Sequence, residues 1–295
     1  MKTNFIEFKK KRELGEILSD TFAFLRNQFK PFFNTYFKIV GPFLLVMILS
    51  LAAYTYFGGN MFNNLIIEDF NEGAPNMLIV FSLALVYLAS LIAVYTMSQS
   101  TVLHYIKSYD EGKGQIDYET IRTNVYRSFW SFIGLGILVG LSVGFGLMFC
   151  LIPGIYLWVP LSLSFSILVF TKKGVSDAFS YGFNLVKDEW WITFATLFVI
   201  MVIVTVATYA FAMPGVIYSY AKMGILSGEL DAESMGDVFK DPLYIFFNLF
   251  ATLAQFLLNL IAVIAGAFIY FNLNERKNFT GTFERIQNLG QTPEN

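Results

Sequence analysis

The sequence predicts an all-α integral membrane protein with six transmembrane helices and both termini in the cytoplasm. Three observations predict this class. The 295 residues are 56% hydrophobic and only 14% charged, whereas soluble domains carry about 25% charged residues. The apolar residues form long blocks, and a membrane-spanning helix needs about 20 of them. Finally, the basic residues are concentrated in alternate connecting segments, as they are in multi-pass membrane proteins.

Six apolar segments qualify as spans: 31–57, 77–105, 129–151, 155–170, 190–213 and 244–271. The third and fourth of these are separated by little more than Pro153 and Gly154, a pair typical of turns. A single helix over both segments would be about 63 Å long, which is twice the thickness of the hydrocarbon core. We therefore predict a hairpin turn at Pro153 and Gly154.

The distribution of charge predicts the orientation of the spans. Four connecting or terminal segments hold 17 of the 20 Lys and Arg residues: 1–30, 106–128, 171–189 and 273–295. The connecting segments on the other side, 58–76 and 214–243, are acidic and hold two basic residues in total. Since basic segments remain on the cytoplasmic side, both termini are predicted to be cytoplasmic.

A repeated phrase predicts an internal repeat. LSDTFAF (Leu18–Phe24) and VSDAFSY (Val175–Tyr181) each precede a long apolar run. Both lie in segments whose apolar residues are spaced by three or four, as in amphipathic helices of the headgroup region. A fainter third copy contains Ile121, Val125 and Phe129. The three copies predict three parallel units around an axis normal to the membrane.

The predicted organisation is a single membrane domain over residues 1–295. It consists of an amphipathic N-terminal helix, three hairpin units and a cytoplasmic tail. Their boundaries are 1–30 for the helix, 31–105, 115–170 and 175–272 for the units, and 273–295 for the tail.

Polar amides within the sixth span are the strongest candidates for a site. Gln255 and Asn259 lie one helical turn apart, and Asn248 lies nearly two turns before Gln255. Amides in hydrocarbon need hydrogen-bond partners, so these side chains are predicted to face the bundle interior. They would either hold helices together or line a polar cavity that contacts a substrate.

Two further sets of residues are predicted to have structural roles. Gly136, Gly140 and Gly144 share one face of the third span and predict close helix packing, within the protein or between two copies. A second set consists of tryptophans that are predicted to anchor the protein at the inner membrane interface: Trp130, Trp190 and Trp191.

The sequence does not indicate enzymatic chemistry. It has one histidine and one cysteine, which excludes a cysteine cluster and most histidine-ligated metal centres. It also lacks a phosphate-binding loop and a dinucleotide-binding glycine motif. We therefore expect no catalytic residues, no cofactor, no metal and no nucleic-acid partner. Membrane lipids, and possible further membrane proteins, are the expected partners.

Three stretches carry a resemblance to a known family: LGEILSDTFAFLRNQFKPFF, LIPGIYLWVPLSLSFSILVF and GVSDAFSYGFNLVKDEWW. They resemble the membrane domain of glycerophosphodiester phosphodiesterases and its multi-pass bacterial relatives without the catalytic domain. The resemblance rests best on the run Pro153–Tyr156 and on Trp190 and Trp191. It implies a bacterial inner-membrane protein, but not phosphodiesterase activity, because catalysis in those enzymes belongs to a separate soluble barrel.

Two functions are therefore expected ahead of enzymatic activity. The first is a non-enzymatic membrane component, either a subunit of a complex or an organiser of the bilayer. The alternative is a carrier or channel for a lipid or a small amphiphile.

Overall fold

The computed structural model describes residues 5–66, 70–225 and 237–289, with side chains at all of these except 60–66, 70–76 and 288–289. The regular structure in this part of the chain is helical, which confirms the predicted all-α class. Its main helices are α1 (Leu14–Asn27), α2 (Phe29–Ile66), α3 (Phe70–Glu111), α4 (Tyr118–Phe149), α5 (Leu151–Ser162), α6 (Ser164–Thr171), α7 (Val175–Val186), α8 (Trp190–Lys222), α9 (Pro242–Asn278) and α10 (Thr280–Leu289).

Six helical stretches of the described chain are long and apolar enough to cross a membrane, as predicted. They are Phe29–Gly59, Met77–Glu111, Tyr118–Phe149, Leu151–Thr171, Trp190–Lys222 and Pro242–Asn278. Their most apolar windows have a mean hydropathy between 1.8 and 2.7. By the length and composition of its helices, the chain is a multi-pass membrane protein.

The hairpin between the third and fourth spans reverses at Cys150, not at Pro153 and Gly154. Cys150 is extended (φ −169°, ψ 151°), while Pro153 and Gly154 lie in the first turn of α5. Proline is tolerated there because the first turn of a helix has N–H groups without intrahelical partners. Gly146 and Gly154 instead allow α4 and α5 to approach each other closely. A Cβ added at Gly146 would lie 2.9 Å from the Cα of Gly154.

The third copy of the repeated phrase does not form a separate amphipathic helix. The Asp117 carboxylate accepts hydrogen bonds from the backbone N–H groups of Glu119 and Thr120, at 3.1 and 3.4 Å, and so caps the start of α4. From this cap α4 continues into the third span without a break. Its buried residues Ile121 and Val125 therefore belong to the span helix itself.

The chain divides into two compact units. The first is built from the described parts of Met1–Ile39, Thr96–Val202 and Leu260–Asn295. Its core is aromatic: the Phe8 ring stacks on Phe268 with ring centroids 4.4 Å apart and meets Phe24 edge-on at 5.4 Å. The segment before α1 is therefore part of a folded core, although its sequence is polar.

The apolar face of α1 packs against protein, whereas we predicted that it lies in the headgroup region. Ile17 and Phe24 are 2% and 0% exposed, and the Phe24 ring contacts Tyr105 and Tyr109 of α3 edge-on. The reason is that the preceding segment and α9 supply aromatic side chains that cover this face. Phe22, which is 43% exposed, is one apolar residue of α1 that remains open.

The α7 helix is also covered by protein. It packs against α4, α5 and α6, with its buried face formed by Ala178, Gly182, Leu185 and Val186. A Cβ added at Gly182 would lie 2.7 Å from the carbonyl oxygen of Pro160. The glycine thus permits a close approach of α7 to α5, so α7 is held by helix packing.

The second unit contains the described parts of Val40–Tyr95 and Ile203–Asn259. One helix pair within it is joined by a hydrogen bond between Ser50 and Ser90 (Oγ–Oγ 3.3 Å) and by stacked Tyr54 and Tyr87 rings. The serine hydrogen bond satisfies polar groups inside a span.

The order of helices agrees with the repeated phrase. The two clear copies lie in α1 and α7, and each of these short helices is followed by two long ones, α2 and α3 or α8 and α9. Whether the two sets superpose as parallel repeats stays a prediction.

Candidate functional site

The first unit holds a buried arginine at the centre of a polar cluster. The Arg12 side chain is fully buried. Its guanidinium donates to the Asp20 carboxylate at 2.8 Å, to the Phe8 carbonyl at 2.7 Å and to the Glu7 carbonyl. It also lies over the Phe268 ring, 4.7 Å from the centroid. Charge, hydrogen bonds and ring contact together satisfy a group that would otherwise be costly to bury.

The same cluster ties the start of the chain to the end of α9. The Arg12 backbone N–H donates to the Asn272 side-chain oxygen at 2.8 Å, and Arg276 donates to the same oxygen at 3.3 Å. Arg276 also pairs with Glu189 at 3.1 Å. We call Arg12, Asp20, Asn272, Arg276 and Glu189 the Arg12 cluster. Its contacts connect segments more than 250 residues apart in the sequence.

Two charged groups outside the spans, Asp20 and Lys9, have pKa values shifted in favour of their ion pairs. Burial raises the pKa of Asp20, but hydrogen bonds from Arg12 and Lys10 outweigh it and leave the pKa below its usual value. Burial lowers the pKa of Lys9, but its pairing with Glu284 and Asp110 outweighs this and raises the pKa. Both groups are therefore charged at neutral pH.

A second carboxylate shapes the turn between α9 and α10. Glu275 is 1% exposed and accepts hydrogen bonds from the backbone N–H groups of Gly281 (2.6 Å) and Thr282 (3.0 Å). Phe279, between the two helices, has a left-handed backbone conformation (φ 53°). The carboxylate thus satisfies N–H groups at the start of α10 that have no partner within the helix.

A groove of about 620 Å³ lies between the start of α5 and the junction of α7 with α8. Its lining is Ile152, Ile155, Tyr156, Lys187, Asp188, Glu189, Trp190, Trp191, Ile192 and Phe194. The Trp190 ring stacks on Tyr156 at 5.6 Å, and its indole N–H donates to the Tyr156 carbonyl at 3.4 Å. The groove therefore combines aliphatic and aromatic walls with a charged end. We call it the α5–α8 groove.

A second, more polar pocket of about 390 Å³ lies between the end of α3 and the start of α4. His104 lines it, and its Nδ1 lies 3.1 Å from the Ser100 carbonyl. Because a carbonyl only accepts, Nδ1 is the donor in this hydrogen bond. The remaining lining is polar for the most part: Lys107, Ser108, Glu111, Gly112, Gln115, Ile116, Asp117, Thr120, Ile121 and Asn124.

The predicted amides of the sixth span do not line either cavity. Gln255 is exposed, while Asn248 and Asn259 are half-buried, so Gln255 does not face a packed bundle interior. Asn248 contacts the Tyr244 hydroxyl. A role in contacting a substrate stays a prediction for Gln255 and Asn259.

The predicted glycine face is open within the described chain. No atom lies within 4 Å of a Cβ added at Gly140 or Gly144, and Gly136 meets only the tip of Phe165, at 4.0 Å. The close approach occurs instead at Gly146 and Gly154 on the two sides of the hairpin. The predicted packing face is therefore not the one that the protein uses between α4 and α5.

The predicted tryptophan anchors include two exposed rings. Trp130 and Trp191 are 77% and 76% exposed, as lipid-facing anchors would be. Trp190, however, lies beside Tyr156 of the hairpin that we predicted to reach the opposite surface. Residues in contact cannot lie on opposite surfaces of a hydrocarbon core about 30 Å thick. Either Trp190 does not lie at the inner membrane interface, or this hairpin does not reach the opposite surface.

The Arg12 cluster and the α5–α8 groove were not predicted from the sequence. The available signal for the cluster was the run of basic residues at 9–12. Among the described residues, no group of three His, Cys, Asp or Glu side chains is placed to hold a metal ion. Comparison with family models, curated proteins and solved structures gives no match to this chain.

Proposed function

We propose that the protein is a non-enzymatic component of a bacterial inner membrane, either a complex subunit or an organiser of the surrounding bilayer. The observation that carries this proposal is the pairing of charged side chains with one another in the first unit. Several of its charged side chains bind other segments of the same chain: Arg12 to Asp20, Lys9 to Asp110 and Glu284, Arg276 to Glu189, and Arg285 to Glu7. Charges held in this way stabilise a scaffold and are not free to act on a substrate.

Exposed apolar residues complement this scaffold. Met148, Phe149, Leu151 and Ile152 at the tip of the α4–α5 hairpin are 70–86% exposed. A soluble protein rarely exposes an apolar patch of this kind, and membrane or partner contact explains it. The proposed family relationship to phosphodiesterase membrane domains is compatible with a scaffold role.

The second candidate is a carrier for a lipid or small amphiphile, and the α5–α8 groove favours it. The two functions differ in one measurable property, because a carrier moves lipid between leaflets. We expect vesicles containing the purified protein to protect inner-leaflet, fluorophore-labelled phospholipid from an external chemical quencher as well as empty vesicles do. Rapid loss of the protected fraction would contradict the organiser role and support the carrier. Vesicles with a heat-unfolded sample serve as the control.

The proposed orientation places both termini in the cytoplasm. In a Cys150→Ser background, single cysteines at Asn71 and Ser234 should react with an impermeant maleimide in intact spheroplasts, whereas cysteines at Ser108 and Asn288 should react only after lysis. The physical reason is the excess of basic residues on the proposed inner side. Labelling of Ser108→Cys from outside would overturn this orientation.

A further inference from the structure

Exposed aliphatic side chains form the walls of the α5–α8 groove. Ile152 is 76% exposed, Ile155 is 41% exposed and Ile192 is 50% exposed. All three line the same cavity of about 620 Å³, a size within the usual range for small-molecule sites. An apolar part of a ligand, such as the upper part of a lipid acyl chain, would be favourably placed against these walls.

The aromatic rings beside these walls are held in place. Trp190 lies between Tyr156 and Phe194, with nearly parallel rings at 5.6 and 5.4 Å. Trp191 meets Trp190 edge-on at 4.8 Å while remaining 76% exposed. An exposed indole next to a fixed aromatic stack offers a face for a cation, since ring faces attract ammonium groups.

The charges at the end of the groove are of both signs. Glu189 is paired with Arg276 at 3.1 Å, which leaves Lys187 and Asp188, both exposed, as the other charged residues of the lining. One ammonium and one carboxylate next to each other complement a zwitterion. An anionic headgroup would be repelled by Asp188, and a cationic one by Lys187.

We propose that the α5–α8 groove binds a zwitterionic phospholipid with an ammonium headgroup. The lipid ammonium lies at Asp188 and Trp191, the phosphate lies at Lys187, and the upper acyl chains lie against Ile152, Ile155 and Ile192. This inference rests on the proposed membrane function and names the lipid class, but it requires neither leaflet transfer nor a protein partner.

Native mass spectrometry of the full chain tests the proposal. The detergent-solubilised protein is incubated with equimolar phosphatidylethanolamine and phosphatidylglycerol, and the lipids that remain bound are counted. We expect about fivefold more bound phosphatidylethanolamine, a preference in the range that one charge and one cation–π contact provide. Equal retention, or a preference for phosphatidylglycerol, would overturn the proposal.

Three variants locate the site. Asp188→Lys should reverse the preference, and Trp191→Leu should reduce retention of phosphatidylethanolamine about fivefold, because both residues would contact the ammonium group. Asp177→Asn is the matched control, since it removes an exposed carboxylate from α7 that does not line the groove. If Asp188→Lys and Asp177→Asn retain the same lipids as the unmodified chain, lipid binds elsewhere and the proposal fails.

A milder variant tests the proposal if Asp188→Lys does not fold. If Asp188→Lys does not elute as a single species in size-exclusion chromatography, Asp188→Asn decides, and it should bring the two lipids toward equal retention. The lipid preference measured by mass spectrometry is independent of the result of the leaflet-transfer assay. If the protein moves lipid between leaflets but shows no preference for phosphatidylethanolamine, both this inference and the organiser role are contradicted. If it moves lipid and does show that preference, only the organiser role is contradicted.

Discussion

Replacing Arg12 by Met should destabilise the first unit by about 2–4 kcal/mol, because buried hydrogen-bond acceptors lose their charged donor at about 1–3 kcal/mol each. Met fills much of the same space, so the loss reports on charge and hydrogen bonds. The variant leaves the carbonyls of Glu7 and Phe8 without the donor that they have at Arg12. Unsatisfied buried acceptors of this kind are costly. The measurement is the midpoint of denaturant-induced unfolding in mild detergent, followed by near-ultraviolet circular dichroism.

Lys11→Met is the matched control for Arg12→Met. It removes a positive charge from the adjacent position, but Lys11 is exposed and its ammonium lies over the Phe279 ring at 4.6 Å. An exposed cation–π contact contributes about 0.5–1 kcal/mol. Equal losses in the two variants would mean that net charge, and not the Arg12 cluster, determines stability.

The structural role of the basic run at 9–12 could not be predicted from the sequence. Its charge indicates the cytoplasmic side of the membrane, and that inference uses only the number of Lys and Arg residues. Its structural role depends on partners distant in sequence: Asp110 and Glu284 for Lys9, and Asn272 for Arg12. No local pattern identifies such partners, so the burial of Arg12 could not be predicted.

The helices were predictable because membrane spans follow from composition and length. Five of the six predicted segments fall within apolar helices of the structure, and the third, 129–151, extends two residues beyond its helix, which ends at Phe149. The helix ends were harder to predict, because α3 and α9 continue through polar residues to Glu111 and Asn278. Asp117 caps the start of α4, whereas the apolar residues that follow it had suggested a third copy of the repeated phrase.

The turn at Pro153 and Gly154 was wrong, and the glycine face is not packed within the described chain, for the same physical reason; contact of that face between two copies stays a prediction. Pro153 with Gly154 indicates a turn, and a glycine spacing of four residues indicates a packing face, but each pattern is also compatible with another arrangement. Proline is favourable in the first turn of a helix, which is where Pro153 lies. Helix contact requires a partner at the right depth, and α5 supplies one at Gly146. The choice between such arrangements lies in tertiary packing, which short sequence patterns do not specify.

The α5–α8 groove depends on tertiary packing in the same way. Tryptophan is typical of a membrane interface, and the sequence therefore predicted Trp190 and Trp191 as anchors. The groove forms because α7 packs closely on α5 at Gly182, which brings the start of α8 next to Tyr156. The anchor role of Trp190 and Trp191 stays a prediction, and their assembly with the hairpin residues into a cavity was not predicted.

The largest effect in the aromatic core is expected for Phe8→Ala. Phe8 is fully buried, and its ring contacts Phe24, Phe268, Phe271 and Tyr109 at centroid distances of 4.4–6.1 Å. Removal of a buried phenylalanine side chain costs about 3–5 kcal/mol, since both the transfer free energy and the filled volume are lost. The unfolding midpoint should fall accordingly, and limited proteolysis should cut the segment before α1 sooner than in the unmodified chain.

Phe5→Ala separates a core role from a general effect of removing aromatic residues near the N-terminus. Phe5 is 41% exposed and stacks on Tyr109 at 5.4 Å, so its replacement should cost about 1 kcal/mol. Phe8→Leu, which keeps most of the volume, should cost less than about 1.5 kcal/mol. A Phe8→Ala variant as stable and as resistant to proteolysis as Phe5→Ala would show that the segment before α1 does not anchor the first unit. The Arg12 contacts would then have to hold that segment without help from the aromatic core.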